Sequence, residues 1–262
     1  MSSNKPIGIF DSGVGGTSIW REIHHLLPNE KTIYLADSKN APYGEKPRDE
    51  IVALSTKNVE KLLALDCKII VVACNTATTN AIEDLRQKYR IPFVGIEPAI
   101  KPAALKSRSK KIGILATKGT LSSELFYSTA ELHSKGTEIT EVVGTGLVEL
   151  IESGQKDSQE MELLLKNLLT PFIENNIDFL VLGCSHYPYI IPVIKKLLPP
   201  HVTIIDSGEA VAKQTKNLLK DNNILSEENR GSCIFLTNKN PEILKGFVNS
   251  EAATHEVSYL DF

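Results

Sequence analysis

The chain has 262 residues, enough for one large domain or for two lobes that each bury a core. Apolar residues make up 42% and charged residues 23%, the balance of an ordinary soluble globular protein. A net charge of -3 with no long Lys/Arg run argues against a nucleic-acid footprint, and no apolar stretch is long enough for a membrane span or signal peptide.

The expected location is therefore the cytoplasm, with Cys67, Cys74, Cys184 and Cys233 reduced. No CxxC spacing occurs, so no structural zinc is expected. In chain order, Met1 to Pro6 leads into a strand at Ile7-Gly8-Ile9-Phe10. Asp11-Ser12-Gly13-Val14-Gly15-Gly16 then turns into a helix that runs to about Leu27. This run fails as a GxGxxG phosphate cradle, because Ser18 replaces the third glycine, and the P-loop lysine is missing. It reads instead as a tight turn exposing Asp11 and Ser12 at the sheet edge.

Residues 32–36 form a second strand, ended by Asp37 and followed by the loop Asn40-Ala41-Pro42-Tyr43-Gly44. Ile51, Leu54, Val59, Leu62 and Leu63 give a helical period over 49–65. The apolar run Ile69-Ile70-Val71-Val72 reads as a strand buried on both faces, and it stops abruptly at Ala73-Cys74-Asn75-Thr76. A helix over 77–88 and a strand over 91–96 follow, broken by Glu97-Pro98.

The pattern then restarts. Gly113-Ile114-Leu115-Ala116-Thr117 matches Gly8 to Ser12 at an offset of 105 residues. Phe179-Leu180-Val181-Leu182-Gly183-Cys184 matches the first cysteine strand at 110, and residues 202–205 match 91–94 at 111. Near-constant offsets predict an internal duplication. Alternating strands and helices then give two pseudosymmetric parallel-sheet α/β lobes with the site in the cleft between them. Lobe one is expected to span 1–97 and 208–262 and to carry Cys74. Lobe two is expected to span 98–207 and to carry Cys184. The tail should supply a helix over 209–219 and strands over 233–236 and 256–259 that complete lobe one. Residues 107–111 and 221–230 read as polar loops.

A buried free thiol is by default a small hydrophobe, and Cys67 and Cys233 fit that description. Cys74 and Cys184 do not, because each ends a strand and is followed by polar residues. Open α/β sheets bind ligands at that end. A lone nucleophile, such as Cys184 with His186, leaves the second thiol unexplained. Proton transfer on two faces of one carbon uses both: one thiolate removes a proton and the opposite thiol returns one. A free thiol titrates near ~8.5, so modest tuning makes either form accessible. His186 lies two residues beyond Cys184, on the same face if the chain stays extended. Asp11 ends the neighbouring strand and serves equally well as a helix cap.

Asp11-Ser12-Gly13-Val14-Gly15-Gly16, Pro42-Tyr43-Gly44, Ala73-Cys74-Asn75-Thr76-Ala77 and Gly183-Cys184-Ser185-His186-Tyr187-Pro188 resemble the signature motifs of the glutamate racemases. These belong to the cofactor-independent aspartate/glutamate racemase superfamily, and the resemblance covers nearly the whole chain. It implies that Cys74 deprotonates D-glutamate and Cys184 deprotonates L-glutamate, with Asp11 and His186 assisting. It assigns substrate contacts to Asp11, Ser12, Pro42, Tyr43, Gly44, Asn75, Thr76, Ser185 and His186, and further contacts to Thr117 and Thr120. Asp37 and Glu152 match acidic positions with supporting roles. No cofactor, metal, nucleic acid or membrane is implied. The partner is a small amino acid made for peptidoglycan synthesis, and a homodimer stays open.

Two departures stand out. Ser185 replaces the usual threonine, keeping the hydroxyl and losing the methyl. Val143-Gly144-Thr145-Gly146 lacks the usual Cys-Pro of the lobe-two wall. The chain also lacks the N-terminal extension of members activated by a peptidoglycan precursor, so that regulation is not expected. Three rivals remain at this point: a racemase for aspartate or another amino acid, a Cys184–His186 hydrolase that does not need Cys74, and a binding protein that needs neither thiol.

Overall fold

The computed structural model describes residues 3–133, 135–227, 231–248 and 255–262. Met1, Ser2 and the last three residues of the polar loop expected over 221–230 lie outside the described residues. The strands are β1 (Ile7–Asp11), β2 (Thr32–Ala36), β3 (Ile69–Val72), β4 (Phe93–Gly95), β5 (Lys111–Ala116), β6 (Glu138–Val143), β7 (Phe179–Gly183), β8 (Thr203–Ile205), β9 (Cys233–Thr237) and β10 (His255–Tyr259). They form a six-stranded sheet, β10-β9-β2-β1-β3-β4, and a four-stranded sheet, β6-β5-β7-β8. Every pairing is parallel. The order β2-β1-β3-β4 recurs as β6-β5-β7-β8, so the duplication read from the offsets is a duplication of topology.

The apolar runs are unbroken because both faces of each central strand are covered. In β3, Ile69 and Val71 belong to one core cluster and Ile70 and Val72 to another. The strand's two-residue side-chain period sends alternate residues to opposite layers. The first cluster reaches across the molecule, joining Ile9, Val14 and Trp20 of the six-stranded lobe to Leu115, Leu147, Val148 and Tyr187 of the four-stranded lobe. A third cluster, with Ile112, Ile114, Phe126 and Val181, fills the outer face of the smaller sheet.

Several boundaries differ from those read in the sequence. The helix after β3 is Asn75–Lys88, starting two residues early because the Cys74 sulfur caps it. Lys111 and Asp221 belong to β5 and to the helix Gly208–Asp221, so the polar loops at those places are shorter. Among the described residues, no helix is long and apolar enough to cross a membrane.

Candidate active site

The C-terminal ends of β3 and β7 meet at one pocket. Its lining includes Ser12, Pro42, Tyr43, Gly44, Cys74, Asn75, Thr76, Thr117, Val148, Cys184, Ser185 and His186. The pocket is narrow, with a cavity volume of about 10 Å³. All four cysteines are free and buried, but only Cys74 and Cys184 reach this pocket.

Cys74 is 4% exposed. The Ala77 amide donates to its Sγ at 3.4 Å, and its thiol donates to Ser12 Oγ at 3.6 Å. Burial, and then the negative charge of Asp11, push this thiol well above the ordinary range. The Ala77 and Ser12 bonds oppose the shift without cancelling it. The tuning is thus not the modest one read from the sequence, because a sulfur this enclosed cannot share its charge with water.

Asp11 stands behind the pocket wall and does not line it. Its Oδ2 accepts the Gly13 amide at 3.0 Å, and its Oδ1 accepts the Ser185 hydroxyl at 2.9 Å. It does not cap the following helix, whose N-cap is Gly16 with no side-chain bond. Burial raises its pKa; the nearby His186 charge works against that rise, and Glu152 adds to it. The Ser185 hydroxyl is therefore already engaged, tying lobe two to Asp11 of lobe one.

His186 does not continue the strand. The chain turns after Gly183, and His186 is αR with φ -76° and ψ -30°. Its ring nonetheless meets the thiol, with Nδ1 3.8 Å from Cys184 Sγ and 3.5 Å from Ser185 Oγ. Nε2 lies 2.6 Å from Glu152 Oε1, a separation that needs a proton between them, so Nε2–H donates to the carboxylate. The Gly15 amide, 3.3 Å from Nε2, faces the same edge of the ring. Burial acts to lower the His186 pKa. The bonds to Cys184 and Glu152 and the charge of Asp11 outweigh it and hold the ring well above its usual value.

The rim is hydroxyl-rich. Thr76 Oγ1 lies 2.8 Å from Thr117 Oγ1 and 3.3 Å from Thr120 Oγ1, bridging the lobes. Thr120 is fully buried behind the pair and does not line the pocket. Tyr43 donates to Asp37 and accepts from Asn58 Nδ2 at 3.0 Å, while Asn238 and Asn40 brace the other Asp37 oxygen. Asp37 is thus a support for Tyr43 rather than a wall residue. Asn75 differs from its neighbours: it is 2% exposed, and neither its Oδ1 nor its Nδ2 has a hydrogen-bond partner. A buried amide left unpaired costs about 1–3 kcal/mol, a cost a ligand carboxylate or ammonium would remove.

Sequence reasoning missed Val148 on the wall, Asn58 behind Tyr43 and Ser38 against Glu152. Val148 follows the turn at Gly146, which has a left-handed φ of +85°. That turn replaces the Cys-Pro segment and delivers an apolar side chain to the wall.

A model of the Asp/Glu/hydantoin racemase family matches residues 7–215. The chain belongs to this family. It is 47% identical over 220 residues to a glutamate racemase of Cupriavidus pinatubonensis, covering 84% of this chain and 80% of that one. It is 43% identical to the glutamate racemase of Ectopseudomonas mendocina over 86% of both chains. Among solved structures, a Bacillus anthracis glutamate racemase superposes with a TM-score of 0.88 at 29% identity, over 99% of this chain and 98% of that one. The Escherichia coli glutamate racemase, solved with L-glutamate and the activator UDP-MurNAc-Ala, gives 0.86 at 31% identity over 98% and 100%.

Proposed function

We propose that this protein is a glutamate racemase, an isomerase that interconverts L- and D-glutamate through two thiols. The observation that carries the reading is that Cys74 and Cys184, from matching strand ends of the two lobes, line one pocket. The substrate's α-carbon lies between them. From D-glutamate, the Cys74 thiolate takes the α-proton. The electron pair stays at the α-carbon, and the Cys184 thiol delivers a proton to the opposite face, giving L-glutamate. The reverse direction exchanges the roles.

Asn75, Ser12, Thr76 and Thr117 bind the carboxylates and the ammonium through amide and hydroxyl groups. Cys74 is a protonated thiol before substrate arrives. The substrate ammonium supplies the positive charge that makes its thiolate affordable in a buried site. Asp11 acts through Ser185, and His186 exchanges protons with Cys184. We further assign lobe one to residues 1–97 and 208–262 and lobe two to 98–207. The enzyme works in the cytoplasm and supplies D-glutamate to peptidoglycan synthesis.

The test is incubation with each glutamate enantiomer in deuterated water, using protein stripped of metal and pyridoxal phosphate. Loss of optical rotation should accompany Cα-deuterium in the product of opposite hand. Activity on aspartate but not glutamate would move the reading to the other branch of the family. Hydrolysis without racemisation, or binding without turnover, would overturn it.

A further inference from the structure

Ser38 lies two residues beyond β2 and is buried. Its hydroxyl donates to Glu152 Oε2 at 3.1 Å, and the Val14 amide donates to Glu152 Oε1 at 2.6 Å. Both donors come from the lobe of the six-stranded sheet. The carboxylate comes from the other lobe, on the last residue of the helix Leu147–Glu152. A negative charge at a helix C-terminus opposes the helix dipole, so nothing within its own helix favours it there. Its partners across the cleft do.

The glycine turn is shaped to receive this pair. A Cβ on Gly13 would lie 1.8 Å from Glu152 Oε1, and one on Gly15 would lie 2.2 Å from His186 Nδ1. The described glycines with left-handed φ are Gly136, Gly146 and Gly154, so Gly13 and Gly15 serve close approach rather than an unusual turn. The contacts run in series: Ser38 and Val14 to Glu152, Glu152 to His186 at 2.6 Å, and His186 to Cys184 at 3.8 Å. Cys74 has no imidazole beside it; its hydrogen-bond partners are Ser12 and the Ala77 amide.

We propose that Ser38 is a positioning residue: when the lobes are together, its hydroxyl and the Val14 amide clamp Glu152 and so fix the His186 ring against Cys184. This rests on the racemase reading and concerns one half of it. In the Cys184 step, the Cα–H bond breaks, an S–H bond forms at Cys184, and the electron pair remains at the α-carbon until Cys74 returns a proton from the opposite face. Ser38 takes no part in the proton balance. It sets the geometry of one step and leaves the Cys74 step alone.

The test compares the parent protein with Ser38→Ala and Ser38→Thr, using Cα-protiated and Cα-deuterated glutamate of each hand. Losing one hydrogen bond to a charged group should lower kcat roughly tenfold in both directions, with little change in KM. The deuterium isotope effect should grow for L-glutamate, where Cys184 breaks the C–D bond, and shrink for D-glutamate, where it does not. Ser38→Thr keeps the hydroxyl and should recover most of the rate. Parent-like kinetics for Ser38→Ala would overturn the proposal. So would isotope effects that move alike for both hands, or a lost cooperative melt, because either marks a general structural role. A parent protein that racemises no glutamate overturns the functional reading itself, and the clamp with it.

Discussion

At the scale of single residues, the two thiols are alike in position and unlike in surroundings. Cys74 is enclosed beside the Asp11 carboxylate, while Cys184 touches an imidazole held well above its usual pKa. Replacing either with Ser should cut racemisation by roughly 10²–10⁴-fold in both directions, the range of a lost acid/base group. The halves separate with a β-chloro analogue that eliminates after proton loss. Cys74→Ser should then process the L form and Cys184→Ser the D form. Chloride release from each enantiomer supplied separately decides it, and parent-rate racemisation by either variant would end the two-thiol mechanism.

Titration of Cys74 gives a second expectation at this scale. Its pKa in the fold lies above its unfolded value of ~8.5. The unfolded chain therefore loses this proton first as pH rises. The stability it confers is complete below ~8.5 and is lost as pH climbs toward the folded value. Urea melts from pH 8 to 10 should show a falling midpoint, and Cys74→Ala should make the fall shallower without abolishing it, because the pKa values of buried Cys67 and Cys233 are raised as well. Alkylation of Cys74 in the folded protein should stay slow at neutral pH and keep accelerating above pH 8.5; rapid neutral alkylation would contradict the burial argument. Cys67, pushed up to about 12 mainly by burial, should be slow as well, so the modified residue must be identified by mass.

At the scale of elements, the sequence made the strand ends legible and left their reasons hidden. Cys74 was readable as a strand-end thiol because Ile69 to Val72 is an unbroken apolar run. That its sulfur would cap the next helix was not readable, since Asn75 and Thr76 are better caps by type. His186 was expected to meet Cys184 along an extended chain; it meets it across a turn. The glycine run was readable as a turn, but its partner lies 138 residues away in Glu152, and local pattern carries no such information. Gly15→Ala tests what the turn is for. Its Cβ would collide with the His186 ring, so the ring or the turn must move, at a cost of about 1–3 kcal/mol. Activity should fall well beyond that loss of stability, because His186 leaves Cys184. Gly246→Ala is the control: nothing lies within 4 Å of its Cβ in the helix Pro241–Val248, so the change should be neutral or stabilising by about 0.4–1 kcal/mol. Thermal melts and initial rates on both variants separate the two cases.

At the scale of the whole molecule, the seam between lobes is crossed by the first apolar cluster and, beside it, by hydrogen bonds. Ser18 Oγ donates to the Ser185 carbonyl at 2.9 Å, Asn80 Nδ2 to the Gly119 carbonyl at 2.9 Å, and Ser207 to the Glu97 carbonyl. Thr17 and Tyr189 share a hydroxyl contact across the same seam. The pocket of about 10 Å³ is tight for an amino acid, so we expect the seam to loosen as glutamate enters and to close again over it. Opening exposes these bonds to water, which exchanges one set of partners for another at little net cost. Glutamate bound to the closed form should stabilise the protein by about 2.7 kcal/mol at a hundredfold excess over Kd. Hydrogen exchange locates that gain. The amides of Val14, Gly15 and Ala77 should slow with glutamate bound, because each lies at the pocket wall or on the seam. Amides of β9 and β10, at the far edge of the larger sheet, should not respond beyond the global stabilisation. Protection confined to one lobe, or spread evenly over both, would mean that glutamate does not close this seam.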